Sequence, residues 1–176
     1  MVASKEYDEK IEQNIMASEM MLSYMPKTLR EKYSRPGIPT DTIAELLIAH
    51  RYKTLAENGN GRDLQNGIEV KFATITTYYR PKGDKSTEAS ICNLKSKTGD
   101  LVVVVADPRL EYNKRDNTIS HMRLRFFKFP YKIWTKYIKG NKMTMSFGSD
   151  SWKWYMDYEC SWNDLNRDCL ATLSVV

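Results

Sequence analysis

The chain has 176 residues, 41% of them hydrophobic and 28% charged, with a formal charge of +5 and a pI of about 9.0. Such a length and apolar content suit one domain with a core of its own and exclude a disordered or staple-dependent chain. Cys92, Cys160 and Cys169 stand far apart without CxxC or Cys/His pairing, which argues against a zinc site and a disulfide framework.

The N-terminal stretch MVASKEYDEKIEQNIM alternates in charge and lacks the apolar core of a signal peptide. No run approaches the roughly 18 apolar residues of a membrane helix, so a soluble, cytoplasmic protein is expected. Residues 5–24 are expected to be helical, with Ile11, Ile15, Met16, Met20 and Leu22 at helical spacing. That methionine-rich helix reads as core or subunit interface. An irregular connector, MPKTLREKYSRPGIP, follows.

A second helix is expected from Asp41 to Asn58, capped by Thr40 or Asp41. Ile43, Leu46, Leu47 and His50 form its inward stripe, and Gly59 stands where a left-handed stop is wanted. The GNG at 59–61 lacks the Lys-Ser/Thr of a phosphate-binding loop and leads instead toward Asp63. Two strands are expected around QNG, one carrying Asp63 and the other over residues 68–79, IEVKFATITTYY, with one core face and one charged face.

A short helix is expected from Asp84 or Ser86 to residue 98, with Ile91 and Leu94 inward, Cys92 a small buried hydrophobe and Gly99 its stop. LVVVVADP, 101–108, has the length of a strand and the apolarity of one buried on both faces. Strand, helix and buried strand make a right-handed parallel crossover. A hairpin around NKRDN, a strand from Ile119 to Phe129, a short helix over 131–139 and a C-terminal set of short strands or loops complete the chain.

Between Ile119 and Lys142 there are seven Lys or Arg and no Asp or Glu, interleaved with Phe126, Phe127, Phe129, Tyr131, Trp134 and Tyr137. Such a segment suits phosphate neutralisation with aromatic support, or the solvated face of an ordinary helix and strand. His50 reads as a core histidine and His121 as a surface one.

The stretch GRDLQNGIEVK, 61–71, carries the chemistry. Glu69 and Lys71 are two apart in a strand and share a face. A two-residue Asn66-Gly67 turn would send Asp63 to the opposite face. A three-residue Gln65-Asn66-Gly67 turn, with Gly67 left-handed, pairs Leu64 with Ile68 and Asp63 with Glu69. Only the second register also puts Leu64 with Ile68, Val70 and Phe72 on the core face, so the hydrophobic pattern selects it. Two facing carboxylates repel unless a cation lies between them, and oxygen-only ligands suit Mg²⁺. Lys71 beside them can orient a water and stabilise charge on phosphorus.

Asp63, Glu69-Val70-Lys71, the preceding helix with Glu45, the helix expected at 86–98 and the strand at 101–107 resemble the PD-(D/E)xK nuclease superfamily, as in type II restriction endonucleases. The resemblance covers about residues 40–130. Arg62 stands where the pattern has Pro, and five residues separate Asp63 from Glu69. The resemblance implies an α/β fold, a restriction-endonuclease-like mixed central sheet flanked by helices. The catalytic core at 40–130 would follow the N-terminal helix and connector at 1–39 and precede an elaboration at 131–176. It also implies Mg²⁺-dependent hydrolysis of double-stranded DNA leaving 5′-phosphates, and a homodimer.

By position, Asp63, Glu69 and Glu45 would hold the metal and Lys71 would be the catalytic lysine. Arg80, Lys82 and Lys85, with Arg123, Arg125 and Lys128, would contact DNA, arginine to guanine being the expected base contact. Three readings follow: a sequence-specific endonuclease, a structure-specific nuclease such as a Holliday-junction resolvase or repair nickase, and a non-enzymatic binding domain.

Overall fold

The computed structural model describes residues 2–57, 63–79, 81–109, 111–113, 118–120, 122–149 and 151–167. Helix α1 spans Val2–Ser23, α2 Lys27–Tyr33 and α3 Thr40–Tyr52. The expected irregular connector therefore contains about two helical turns, introduced by Pro26, whose missing N–H costs a helix start nothing. Pro39 introduces α3 in the same way, so neither Thr40 nor Asp41 is its cap; the Thr40 hydroxyl accepts a hydrogen bond from Ser18 of α1.

Helix α3 ends earlier than expected, at Lys53 in the left-handed region with φ 51°. The competing force is strand pairing. Ala56 bridges Leu64, the Glu57 N–H donates to Asp63 O at 2.7 Å, and the Gln65 N–H donates to Leu55 O at 3.0 Å. Asn58 and the expected stop at Gly59 lie outside the described residues.

The strand expected over 68–79 divides at Ile75. Strand β1, Glu69–Thr74, lies at the edge of a four-stranded sheet ordered β1-β4-β7-β9, where β4 is Leu101–Asp107, β7 Arg123–Phe129 and β9 Glu159–Cys160. Strand β2, Thr76–Tyr79, belongs to an antiparallel sheet ordered β2-β3-β8, where β3 is Lys85–Ile91 and β8 Met143–Ser146. Strands β5, Glu111–Asn113, and β6, Thr118–Ser120, pair with each other around the expected NKRDN turn, whose residues 114–117 lie outside the described set.

Strands β1 and β4 are parallel, as expected, but no helix connects them among the described residues. The expected helix over 86–98 is β3 and a loop. Its buried positions, Ala89 and Ile91, alternate rather than recur at helical spacing, and β3 pairs on both sides, with β2 and with β8. Cys92, expected inside, is exposed.

Strand β4 is buried along its whole length and separates two cores. Val102, Val104 and Ala106 pack toward Ile43, Leu47, Met21 and Met25 of the helical layer, whereas Leu101, Val103 and Val105 pack with Ala89, Ile91, Met143, Met145 and Trp134. The molecule is thus a mixed α/β structure whose central mixed sheet is covered by helices on one face and largely by the second sheet on the other. The helix over 131–139 is a turn of α4, Tyr131–Trp134, continued by a 3-10 turn. Among the described residues no helix is long and apolar enough to cross a membrane.

Candidate active site

Local hydrogen bonding fixes the turn that carries the acids. The Gly67 N–H donates to Leu64 O at 2.9 Å and the Leu64 N–H to Ile68 O at 3.1 Å, closing the three-residue loop, with Gly67 at φ 86°. The Asn66 side chain also accepts from the Ile68 N–H at 3.2 Å. Asp63 is then held from two sides. Its carbonyl is bound by Glu57, and its Oδ2 accepts the Val70 N–H at 2.8 Å. The Glu69 N–H donates to Asp100 O, continuing the ladder with β4.

In this geometry Lys71 Nζ lies 3.2 Å from Glu69 Oε1 and 3.9 Å from Asp63 Oδ2. The three residues singled out at 61–71 therefore meet. A fourth joins them. Lys97 Nζ lies 2.6 Å from Glu69 Oε1 and 3.8 Å from Asp63 Oδ1. Glu69 is fully buried, and neither of its oxygens has a well-formed hydrogen bond among the described residues; the two lysines meet Oε1 as ion pairs.

Helix α3 adds two acids. Asp41 and Glu45 are four apart and share a helix face. Burial pushes the Glu45 carboxyl up to about 7, the Asp63 carboxylate adds to the rise and Lys71 opposes it. Burial likewise raises Asp41, against Lys71. Burial raises Glu69, opposed by the Lys97 ammonium and reinforced by the neighbouring Asp63. Burial alone would lower Lys97, but Glu69 and Asp63 hold it above the ordinary lysine value.

These directions have a consequence for stability. Each raised carboxyl holds its proton more tightly folded than unfolded, so its contribution is largest at the acid end of its window and is lost as pH rises through it. For Glu45 that window runs from 4.5 to about 7. Solvent screens part of the effect at a half-buried group. In EDTA, Glu45→Gln is expected to flatten the loss of thermal stability above pH ~5 and to raise the melting temperature near pH ~7.5 by about 2–4 °C, the equivalent of ~1 kcal/mol. Circular dichroism melts across that range provide the check, and an unchanged slope would count against it.

Among the described residues no three His, Cys, Asp or Glu side chains are gathered closely enough to enclose a metal ion. Mg²⁺ does not require that, since it commonly keeps several waters and takes one or two carboxylates together with substrate phosphate. The paired carboxylates of Asp63 and Glu69, the latter without well-formed hydrogen bonds, are all-oxygen donors that fit such an ion.

The other predicted residues divide. Lys82 and Lys85 are exposed on the β2–β3 hairpin, where Lys85 Nζ lies 5.9 Å from the Tyr79 ring centre and Tyr79 is 76% exposed. Arg80 and His121 lie outside the described residues. Arg125 is engaged within the fold. Its Nε and Nη2 donate to Glu159 at 2.7 and 2.6 Å, and its Nη1 lies 3.7 Å from Asp107. Arg123 lies 3.5 Å from the same buried Asp107, and Arg109 grips it with bonds of 2.7 and 2.8 Å. Lys128 lies over the Tyr52 ring. His50 is half-buried and lines an open cleft with Leu46, Leu55 and Trp162.

Sequence reasoning missed Lys97 and used Asp41 only as a cap. Spacing from Glu45 could have found Asp41; Lys97 was hidden by the helix expected over 86–98. No family model, curated protein or solved structure matches the chain.

Proposed function

We propose that this chain is a Mg²⁺-dependent DNA endonuclease with a restriction-endonuclease-like core, cutting duplex DNA at specific sites to leave 5′-phosphates. The observation that supports this reading best is the meeting of Asp63, Glu69 and Lys71 at the start of an edge strand, beside the acid-bearing helix α3. Asp63 and Glu69 would hold the ion, with Glu45 in reach of the same charge cluster. Bound there, Mg²⁺ would polarise the scissile phosphate and lower the pKa of attacking water.

The chain's own residues supply the rest. Lys71 orients the water and offsets negative charge building on the phosphoryl oxygens. Water attacks phosphorus, the bond to the 3′ oxygen breaks, and the products are a 3′-hydroxyl and a 5′-phosphate. The β2–β3 hairpin, with Lys82, Lys85 and the exposed Tyr78 and Tyr79, is the base-reading element of this proposal, reaching into a groove as a two-stranded ribbon. A second copy of the chain would cut the other strand, and the exposed Ile11 and Ile15 of α1 give such a pairing an apolar surface.

The test is incubation of the purified protein with unmethylated phage DNA in Mg²⁺, with an EDTA control and light scattering of the same sample. Discrete bands that need Mg²⁺, from a species of twice the chain mass, are expected. Intact DNA throughout would overturn the site-specific reading, and cleavage of branched junctions alone would replace it with a structure-specific nuclease.

A further inference from the structure

The site holds one cation more than the three-residue arrangement requires. Lys97 sits in the loop between β3 and β4, and that loop is tied down along its length. The Leu94 N–H donates to Asn141 O, the Lys95 N–H to Asn141 Oδ1, and the Lys97 N–H to Leu94 O. Beyond it, Trp134 Nε1 donates to Gly99 O at 3.0 Å and the Tyr131 N–H to Asp100 Oδ1 at 2.9 Å. The Lys97 side chain is 12% exposed, so its ammonium has left most of its water for the two carboxylates.

Its position is the important part. Nζ contacts Glu69 Oε1 and approaches Asp63 Oδ1, which places a positive charge between the two groups that would share a divalent ion. Lys71 and Lys97 together balance Asp63 and Glu69 one for one. A divalent ion held between Asp63 and Glu69 would lie against the Lys97 ammonium that already approaches both, and the two cations repel unless the lysine withdraws. Both lysines have the same flexible four-carbon stem, but Lys71 lies in β1 itself, opposite Val103 and two residues from Glu69, whereas Lys97 reaches the carboxylates from a separate loop.

We propose that Lys97 is a built-in counter-cation: it holds Asp63 and Glu69 together in the metal-free protein and is displaced when a divalent ion binds, so that it sets how much metal the site requires. The proposal rests on the metal-site reading given above. Lys97 is thus a positioning residue, acting through the two carboxylates, and its removal has effects of opposite sign on stability and on metal affinity.

The test is calorimetric titration of Mn²⁺ or Ca²⁺ into the full-length wild type, Lys97→Met and Lys97→Arg, with melting temperatures measured in EDTA. Lys97→Met is expected to melt lower without metal, to recover on adding the ion, and to bind the ion roughly tenfold more tightly or better, the scale of one close charge. Lys97→Arg retains the charge and is expected to stay near wild-type affinity. A purely structural lysine would leave affinity unchanged or weaker in the Met variant, and that result overturns the proposal alone. Absence of divalent-ion binding by every form removes the metal-site reading as well.

Should the Met variant fail to fold, ¹⁵N-labelled lysine in the wild type answers the same question. The Lys97 ammonium resonance is expected to move on saturation with Ca²⁺. A resonance that stays in place overturns the displacement.

Discussion

Lys71→Ala is expected to reduce single-turnover cleavage of duplex DNA in Mg²⁺ by a factor of about 10²–10³, the cost of removing one preorganised group that stabilises transition-state charge. Metal-free DNA binding should change by no more than roughly threefold, because one partly buried lysine adds little to an affinity dominated by many phosphate contacts. The geometry makes this a discriminating experiment. Lys71 and Lys97 approach the same oxygen of Glu69, at 3.2 and 2.6 Å, the first from the ladder with β4 and the second from the loop between β3 and β4. A loss below about tenfold would transfer the role to Lys97. Lys71→Arg should not rescue activity, since a planar fork does not replace a compact ammonium at a crowded carboxylate. Rapid-quench measurement of the cleavage step is the check.

The second large effect concerns a residue with no charge. Gly99 faces the turn that carries the acids, and a Cβ placed on it would lie 1.8 Å from Gly67 O and 3.0 Å from Gly67 C. Both are backbone atoms, and no flexible side chain can move aside. Gly99 cannot retreat easily, because Trp134 Nε1 holds its carbonyl from behind. Gly99→Ala is therefore expected to cost about 3 kcal/mol or more by overpacking. That corresponds to a melting temperature lower by about 6–12 °C in a chain of this size. The same change separates the Lys97 loop from the Asp63–Glu69 turn, so cleavage should fall even below the melting range. Thermal melts beside cleavage assays at low temperature separate the two consequences, and a variant that melts like wild type would refute the contact.

Gly99 also illustrates how far the sequence could be read. It was expected to stop a helix, and the expectation failed because a glycine after an apolar run signals a stop only if the run is helical. Lys85–Ile91 is a strand because two neighbouring strands pair with it, which no local pattern announces. Strand β4 was legible because seven successive buried residues suit few other elements. The turn at Gln65–Gly67 was legible for a different reason: its hydrophobic register and its glycine point to the same geometry. Asp63, Glu69 and Lys71 lie within nine residues of one another, so the local turn was enough to bring them together. Lys97 reaches them only through the path of a loop anchored by Asn141, Trp134 and Tyr131. The basic run at 119–142 was read by composition, which could not foresee that Asp107 and Glu159 engage Arg125.

The division of one extended segment between two sheets at Ile75 also sets a length scale. Lys71 and Tyr79 are eight residues apart, and chain in extended conformation covers at most about 27 Å over that distance. Along duplex DNA this corresponds to roughly eight base pairs, less than one helical turn. In the proposed enzyme, the hairpin that reads and the lysine that cuts therefore work on the same turn of the duplex, and scission falls within or beside whatever sequence that hairpin recognises. Cutting at a remote position would require a separate reading element.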